Sequence, residues 1–391
     1  MSVNQPEHND AVLGGEVPHL INSAVLGGIE GVKKRLASSS EETRIAALTD
    51  ALQYEEVGLD LVIRALEDKV QSTQKAAYLL LRNKKDPKII RALQGLNYWS
   101  WMECLTTLKY HVYMSSLPMT PDGKKIIFGG IGAIHIWNWE ENTMQRQILQ
   151  GHSDEVNFFD FSSDRQIIIG GSWGDARIKV WNWQTGEILC SPMKEYSLGI
   201  HSMAVCSDED TVIVGCMKEG FIKVWNWKIN KIIRVIDAYS KGQVQVYISP
   251  DKKQLVSAGE TSIKIWNWRT SELFYILETQ QRIENSAINF EKNIIAVRHS
   301  NKIKIFDLQT KKLQLTLQVQ KETFSLALSQ DGNTLIAGGR GQIQIWSLQT
   351  GKLLHTLYGH CDYIQCVTAD NNQQIIVSNG HIDGIKVWGV R

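Results

Sequence analysis

The sequence has no CxxC pair among its six cysteines, no surplus of either charge, no long apolar run and no leader-like start. Each absence excludes something. Cys104, Cys190, Cys206, Cys216, Cys361 and Cys366 are scattered, which suits neither a disulfide framework nor zinc-ligand spacing. Reduced thiols in the cytoplasm are the plainer expectation. Lysine plus arginine (42) nearly cancels aspartate plus glutamate (41). No net field then draws the chain to nucleic acid or to an anionic membrane. No stretch of about 18 apolar residues offers a membrane span. Residues 1–15 lack the basic stretch and apolar core of a signal peptide. What remains is an ordinary globular composition, 43% apolar and 21% charged, and 391 residues give room for two domains.

Repetition dominates the rest. From residue 134 one phrase recurs: IHIWNW, IKVWNW, IKVWNW, IKIWNW, IKIFDL, IQIWSL, IKVWGV. Its central aromatics are Trp137, Trp181, Trp225, Trp266, Phe306, Trp346 and Trp388, at gaps of 44, 44, 41, 40, 40 and 42 residues. Each phrase alternates apolar and polar residues, the period of a strand. Upstream of each lies a β-branched run, such as KKIIFGG or TLIAGGR, and before several of these a turn such as TPDGK, SPDKK or SQDGN. Downstream, QTGEIL, RTSELF or QTGKLL turns into a fourth strand. Four short antiparallel strands cannot bury two faces alone, but radial packing of several such sheets can.

These residues resemble the WD-repeat family. Gly151 to Trp181 (GHSDEV, FSSD, IIIGGSWGDARIKVW) follows its pattern closely, and Gly359 to Trp388 nearly so. The resemblance spans residues 102–391 and implies a mainly β fold, a seven-bladed WD-repeat β-propeller. Departures exist. Asn follows the tryptophan at 138, 182, 226 and 267, and Gly-His survives only at His152 and His360, with Tyr110-His111 a partial third. A second tryptophan (Trp139, Trp183, Trp227, Trp268) is expected to pack between neighbouring blades.

The last phrase's aromatic, Trp388, is followed only by Gly389, Val390 and Arg391, so the seventh sheet is expected to lack a fourth strand there. Residues 102–108 (MECLTTL) read like that strand and are expected to pair beside Trp388 and close the ring. Residues 23–96 carry a helical period instead: Ile45, Leu48 and Leu52 share one face, and Leu59, Val62, Ala65 and Leu66 another. Ser39 with Glu42 fits a capping box, and Asp86-Pro87 with Gly95 brackets another helix. TRIAAL against TQKAAY and VIRAL against IIRAL form a weak internal repeat that resembles HEAT-like repeats. Residues 1–22 are expected to be a flexible tail, and Trp99 and Trp101 to plug the junction of the two domains.

Chemistry is sparse. His152, Ser172, Asp175 and Trp181 contain the residue types of a hydrolytic triad, and His360, Ser378, Asp383 and Trp388 repeat the set. In the resembled family this set is a buried hydrogen-bond chain running from Asp through His and the hydroxyl to the indole N–H. Ile131, Glu260 and Arg340 stand where other blades would need the Asp, so those blades are expected to rely on packing. Gly-rich phrases at 129–132 and 338–341 lead into strands, not helices, and lack an anion-binding dipole. No cluster has metal-ligand spacing, and neither catalysis nor a cofactor is expected.

In the resembled fold the loops on one face hold partners. Tyr113, Glu155, Asn157, Ser202, Glu284, Phe324, Tyr363 and Gln365 align at the start of the innermost strands. Trp173, Lys218, Glu260, Arg298 and Arg340 fall at the b–c turns. Aromatics and arginine anchor interfaces, which favours Trp173, Tyr363, Phe324 and Arg340. The expected role is a cytoplasmic scaffold binding other proteins, its oligomeric state left open. Two alternatives stand beside it. One is a chromophore- or ligand-handling protein, since HEAT-like repeats resemble those of phycobilisome lyases. The other is a regulator whose helices mask the propeller. Repeats this regular also resemble those of bacterial, especially cyanobacterial, WD-repeat proteins.

Overall fold

The computed structural model describes residues 28–93, 96–111, 113–120, 122–144, 149–161, 166–172, 174–175, 177–191, 199–206, 210–319, 322–370 and 375–391. They fall into two compact units: the helical residues up to Trp101 together with Val390–Arg391, and Met102–Gly389.

The first unit contains α1 (Gly28–Leu36), α2 (Glu41–Ala51), α3 (Glu55–Arg64), α4 (Gln71–Leu81) and α5 (Pro87–Leu93). Ala47 and Ala77 are fully buried where α2 meets α4, beside Leu48, Ala51 and Leu81. Small side chains there let the two helices approach closely. The cap of α2 falls one residue later than expected. Ser40, not Ser39, caps it, and its Oγ accepts from the Thr43 N–H at 3.3 Å. The buried Arg44 guanidinium takes up the Ser38 and Ser39 carbonyls (2.7 and 3.2 Å), which fixes the chain's entry to the helix. Asp86 caps α5 as expected, Oδ1 accepting from the Lys88 N–H at 2.7 Å. Gly95 lies outside the described residues. Trp99 and Trp101 are buried, and Tyr78 stacks on Tyr98 (5.1 Å) and meets Trp101 edge-on (5.7 Å).

The second unit is a succession of antiparallel meanders, one around each aromatic-tipped phrase. Lys231–Asp237, Phe221–Asn226, Thr211–Cys216 and Ile200–Cys206 form one four-stranded sheet in that order, and the two following phrases form two more. The a–b turns share one device. Thr120, Ser249 and Ser329 each donate a hydroxyl to the Asp two residues on, at 2.5–2.6 Å. The same Asp then accepts a backbone N–H at 3.0–3.1 Å, the self-bonding that makes these residue types turn formers. Glu103–Leu108 lies antiparallel beside Gly384–Gly389, with Thr106 opposite Val387 and Leu108 opposite Ile385. The strand that the last phrase lacks is thus drawn from residues nearly 300 positions earlier, and this sheet has no bare outer edge at Gly384–Gly389.

Six buried clusters each join two neighbouring meanders, including one that joins Val377, Ile385 and Val387 of the last to Ile126, Phe128 and Trp137 of the first. The phrase aromatics sit inside: Trp137, Trp181, Trp225 and Trp388 are at most 2% exposed, so truncating one to alanine costs about 4 kcal/mol. Trp227 and Trp268 also lie in these clusters. The second tryptophans have polar work as well. Trp139 donates to the Gly123 carbonyl (2.7 Å) and Trp268 to that of Lys252 (3.0 Å), pinning the a–b turn of each sheet.

Candidate functional site

The two triad-like sets come out differently. In the last meander the chain is complete. His360 Nδ1 meets Asp383 Oδ1 at 2.7 Å, His360 Nε2 meets Ser378 Oγ at 2.7 Å, and Trp388 Nε1 donates to that Oγ at 2.8 Å. Burial lowers the His360 pKa, opposed by Asp383, so the imidazole is neutral at pH 7. A Cβ at Gly380 would lie 2.1 Å from Asp383 Oδ1 and 2.3 Å from His360 Nδ1, which explains the glycine.

In the earlier meander His152 Nδ1 meets Asp175 Oδ2 at 2.7 Å, but the expected relay stops there. Trp181 Nε1 donates to the Gln150 carbonyl at 3.0 Å, Ser172 Oγ only receives the Asp175 N–H at 3.5 Å, and His152 Nε2 is buried without a hydrogen-bond partner. Burial pushes the Asp175 pKa up, yet the His152 contact and the Ser153 and Arg177 N–H groups outweigh it and leave the pKa lowered. Ser172 and Ser378 are both fully buried, so neither hydroxyl can reach a substrate.

A substitute relay stands in the meander of Trp266. Trp266 Nε1 donates to Ser257 Oγ at 2.9 Å, and Tyr239, where the family pattern has His, places its hydroxyl 3.0 Å from the same oxygen. Glu260 Oε1 accepts from Ser240 Oγ (2.6 Å) and the Lys241 N–H (2.9 Å), tying the b–c turn to the incoming loop as Asp would. Reliance on packing alone therefore does not describe this sheet. In the first meander Tyr110 OH similarly meets His135 Nε2 at 3.0 Å.

One ligand-sized feature is a cavity of about 360 Å³. Tyr113, Phe158, Ser202, Gln245, Asn285, Ser325 and Gln365 line it, one from the innermost segment of each meander. Of the residues expected on this face, Tyr113, Ser202, Glu284, Phe324 and Gln365 line the cavity. Ser202 Oγ links two inner strands, donating to the Val244 carbonyl (3.2 Å) and accepting from the Val246 N–H (2.8 Å). Gln365 Oε1 accepts from Asn379 Nδ2 (2.8 Å), and its Nε2 lies 2.9 Å from His381 Nδ1. Tyr363 stacks on that His381 ring (4.5 Å) and tilts against Phe324 (5.3 Å). The three rings make an aromatic step with Phe324 38% exposed.

Other expected face residues lie elsewhere or are occupied. Asn157 is 1% exposed and donates to the Tyr113 carbonyl at 2.9 Å, so it holds the segment and offers nothing to a partner. Glu155 sits opposite Ile131 in its strand pairing. Arg298 is paired with Glu284 at 2.5 Å, and Arg340 lies 3.6 Å from Glu322 and 3.7 Å from Asp362. Lys218 and Glu260 border a second hollow of about 760 Å³. Trp173 lies outside the described residues.

His201, Met203, Met217 and Tyr247 also line the cavity and escaped the sequence reading. The alternation that puts Gln245 and Tyr247 on one face of an inner strand was the available signal. Burial pushes the His201 imidazole down to about 4 and the Cys366 thiol up to about 12. Both are neutral at pH 7, so neither a cationic acid nor a thiolate nucleophile faces this space. Among the described residues no three His, Cys, Asp or Glu side chains are grouped to hold a metal ion, and no helix is long and apolar enough to cross a membrane.

An antiparallel four-stranded unit, repeated and tipped by a buried aromatic, defines a repeat protein. Four segments, 143–182, 230–267, 311–347 and 351–388, match the family model of the WD domain, G-beta repeat. These four segments resemble WD repeats. All four segments begin in or just before an outer strand and end at the third strand of the next sheet. A search of curated proteins returned no match.

Proposed function

We propose that Met102–Gly389 closes as a seven-bladed WD-repeat propeller and that the chain is a non-catalytic scaffold holding other proteins on the face around the central cavity. The observation that carries this is the cavity wall, to which the innermost segment of every repeat contributes residues. The Phe324–Tyr363–His381 step beside it supplies aromatic area of the kind that anchors interfaces. Buried serines in both triad-like sets and the protonated Cys366 thiol argue for structure over reaction chemistry. The helices, read as HEAT-like repeats, would add a second surface. A ligand-handling role draws less support, because Cys104, the first cysteine of the chain, follows the helices.

The test is capture of partners from the native host by the full chain and by a Phe324→Ala/Tyr363→Ala double variant matched for melting temperature. A stoichiometric partner held by the first and lost by the second supports the scaffold. A partner held equally by both moves the site off this face.

A further inference from the structure

We propose that the hollow bordered by Lys218, Lys241 and Arg282 receives an acidic side chain of a partner protein with an apolar neighbour beside it, an assignment that rests on the docking role of the surrounding face.

The hollow, about 760 Å³, is formed by the inner turns at Met217–Lys218 and Glu260–Thr261 and by the loops that enter the sheets of Trp266 (Ser240–Gln243) and Phe306 (Arg282–Ile283). Its charged lining is Lys218, Lys241, Arg282 and Glu260, an excess of two positive charges in a chain that is otherwise balanced. Glu260 does not neutralise that excess through its neighbours' ammonium groups. Its Oε1 is taken by the Ser240 hydroxyl and the Lys241 backbone N–H. Among the described residues none of the three cations has an ion-pair partner, whereas Arg298 and Arg340 on the same face are paired with Glu284 and with Glu322 and Asp362.

Three exposed cations around one concavity repel each other, and a carboxylate placed among them gains charge-assisted hydrogen bonds and relieves that repulsion. Gly242, at φ 90° and with nothing within 4 Å of a would-be Cβ, leaves the middle of the hollow open. Met217, Ile283 and the aliphatic stems of the cations supply apolar wall between the polar Ser240, Gln243 and Thr261. That combination selects a peptide segment over nucleic acid, because no aromatic ring in this lining offers a base a stacking platform.

The experiment uses the full chain and fluorescence anisotropy with three probes: a labelled peptide alternating glutamate and leucine, its glutamine counterpart, and a single-stranded oligonucleotide. The glutamate peptide should bind, the glutamine peptide about tenfold more weakly, and added salt should weaken the first. Lys241→Glu and Arg282→Glu should each weaken binding of the glutamate peptide about tenfold, while Lys312→Glu on an outer strand leaves it unchanged. Failure of the glutamate peptide to bind, equal binding of the glutamine peptide, tighter binding of the oligonucleotide, or indifference to both charge reversals overturns the assignment. If a captured partner is lost from the Phe324→Ala/Tyr363→Ala chain but kept by Arg282→Glu, the scaffold face stands and the acidic-site assignment falls.

Discussion

The last repeat and the repeat of Trp181 carry the same four residue types, yet only one of them completes a hydrogen-bond chain. Between His360 and Trp388, Ser378 Oγ sits at 2.7 and 2.8 Å from both partners. Between His152 and Trp181 the indole turns to a backbone carbonyl, and the imidazole Nε2 is left buried and unpaired. The difference teaches that residue identity supplies the atoms and the backbone around them decides the bonding. Asp383 lies five positions before its tryptophan and Asp175 six before its own, yet each carboxylate meets its histidine Nδ1 at 2.7 Å, so the two sets part only at the serine and the indole. A buried polar group carries its desolvation cost whether or not it finds a partner, so the two sheets are expected to differ in stability although they look alike in sequence.

The sharpest way to break the comparison is to remove the strand that supports one side of it. Deleting residues 103–108 exposes Gly384–Gly389 and the sheet holding the complete relay, and should abolish a single cooperative melting transition, read by circular dichroism. Ser378→Ala comes next. It leaves His360 Nε2 and Trp388 Nε1 both unpartnered and should cost about 2–3 kcal/mol in denaturant unfolding. Ser172→Ala, the same change in the incomplete set, should cost under about 1 kcal/mol, because Ser172 serves neither ring there. Equal losses would mean that the two sets are energetically alike. Tyr239→Phe, which removes the hydroxyl of the substitute relay, should fall between them at about 1–2 kcal/mol.

Acid provides a gentler perturbation. His201 and His360 both have folded pKa values below the ordinary histidine value of about 6.5. The unfolded chain therefore binds more protons below that pH, and stability falls as pH drops through 6.5 toward about 4. Above that window neither group adds a slope. Replacing His201 with Gln should flatten the fall, and an unchanged profile would remove this histidine from the account.

Much of the fold was legible because it repeats. Seven aromatics at gaps of 40 to 44 residues name the unit, and the strand-like run at 102–108 without a partner of its own names its place. The turn chemistry of Thr120, Ser249 and Ser329 with their aspartates was equally open to view. The site was less so. That Asn157 faces inward follows from its bond to the Tyr113 carbonyl, a contact across 44 positions that no local pattern announces. Tyr239 and Tyr110 stand where Gly-His was missing, but a phenol substitutes for an imidazole only once Ser257 or His135 is known to lie 3.0 Å away. The cap at Ser40 instead of Ser39 was decided by Arg44, a buried cation that reaches back to two carbonyls.

The closed ring is the premise of the docking face, since a cavity lined from every repeat exists only if the first strand joins the last. Native-state hydrogen exchange of the full chain measures this directly. The amides of Glu103–Leu108 that pair with Gly384–Gly389 should exchange as slowly as those of their partner strand and be lost together with them as denaturant is added. Exchange of residues 103–108 at the rate of an unstructured segment, with 384–389 still protected, would contradict a closed ring.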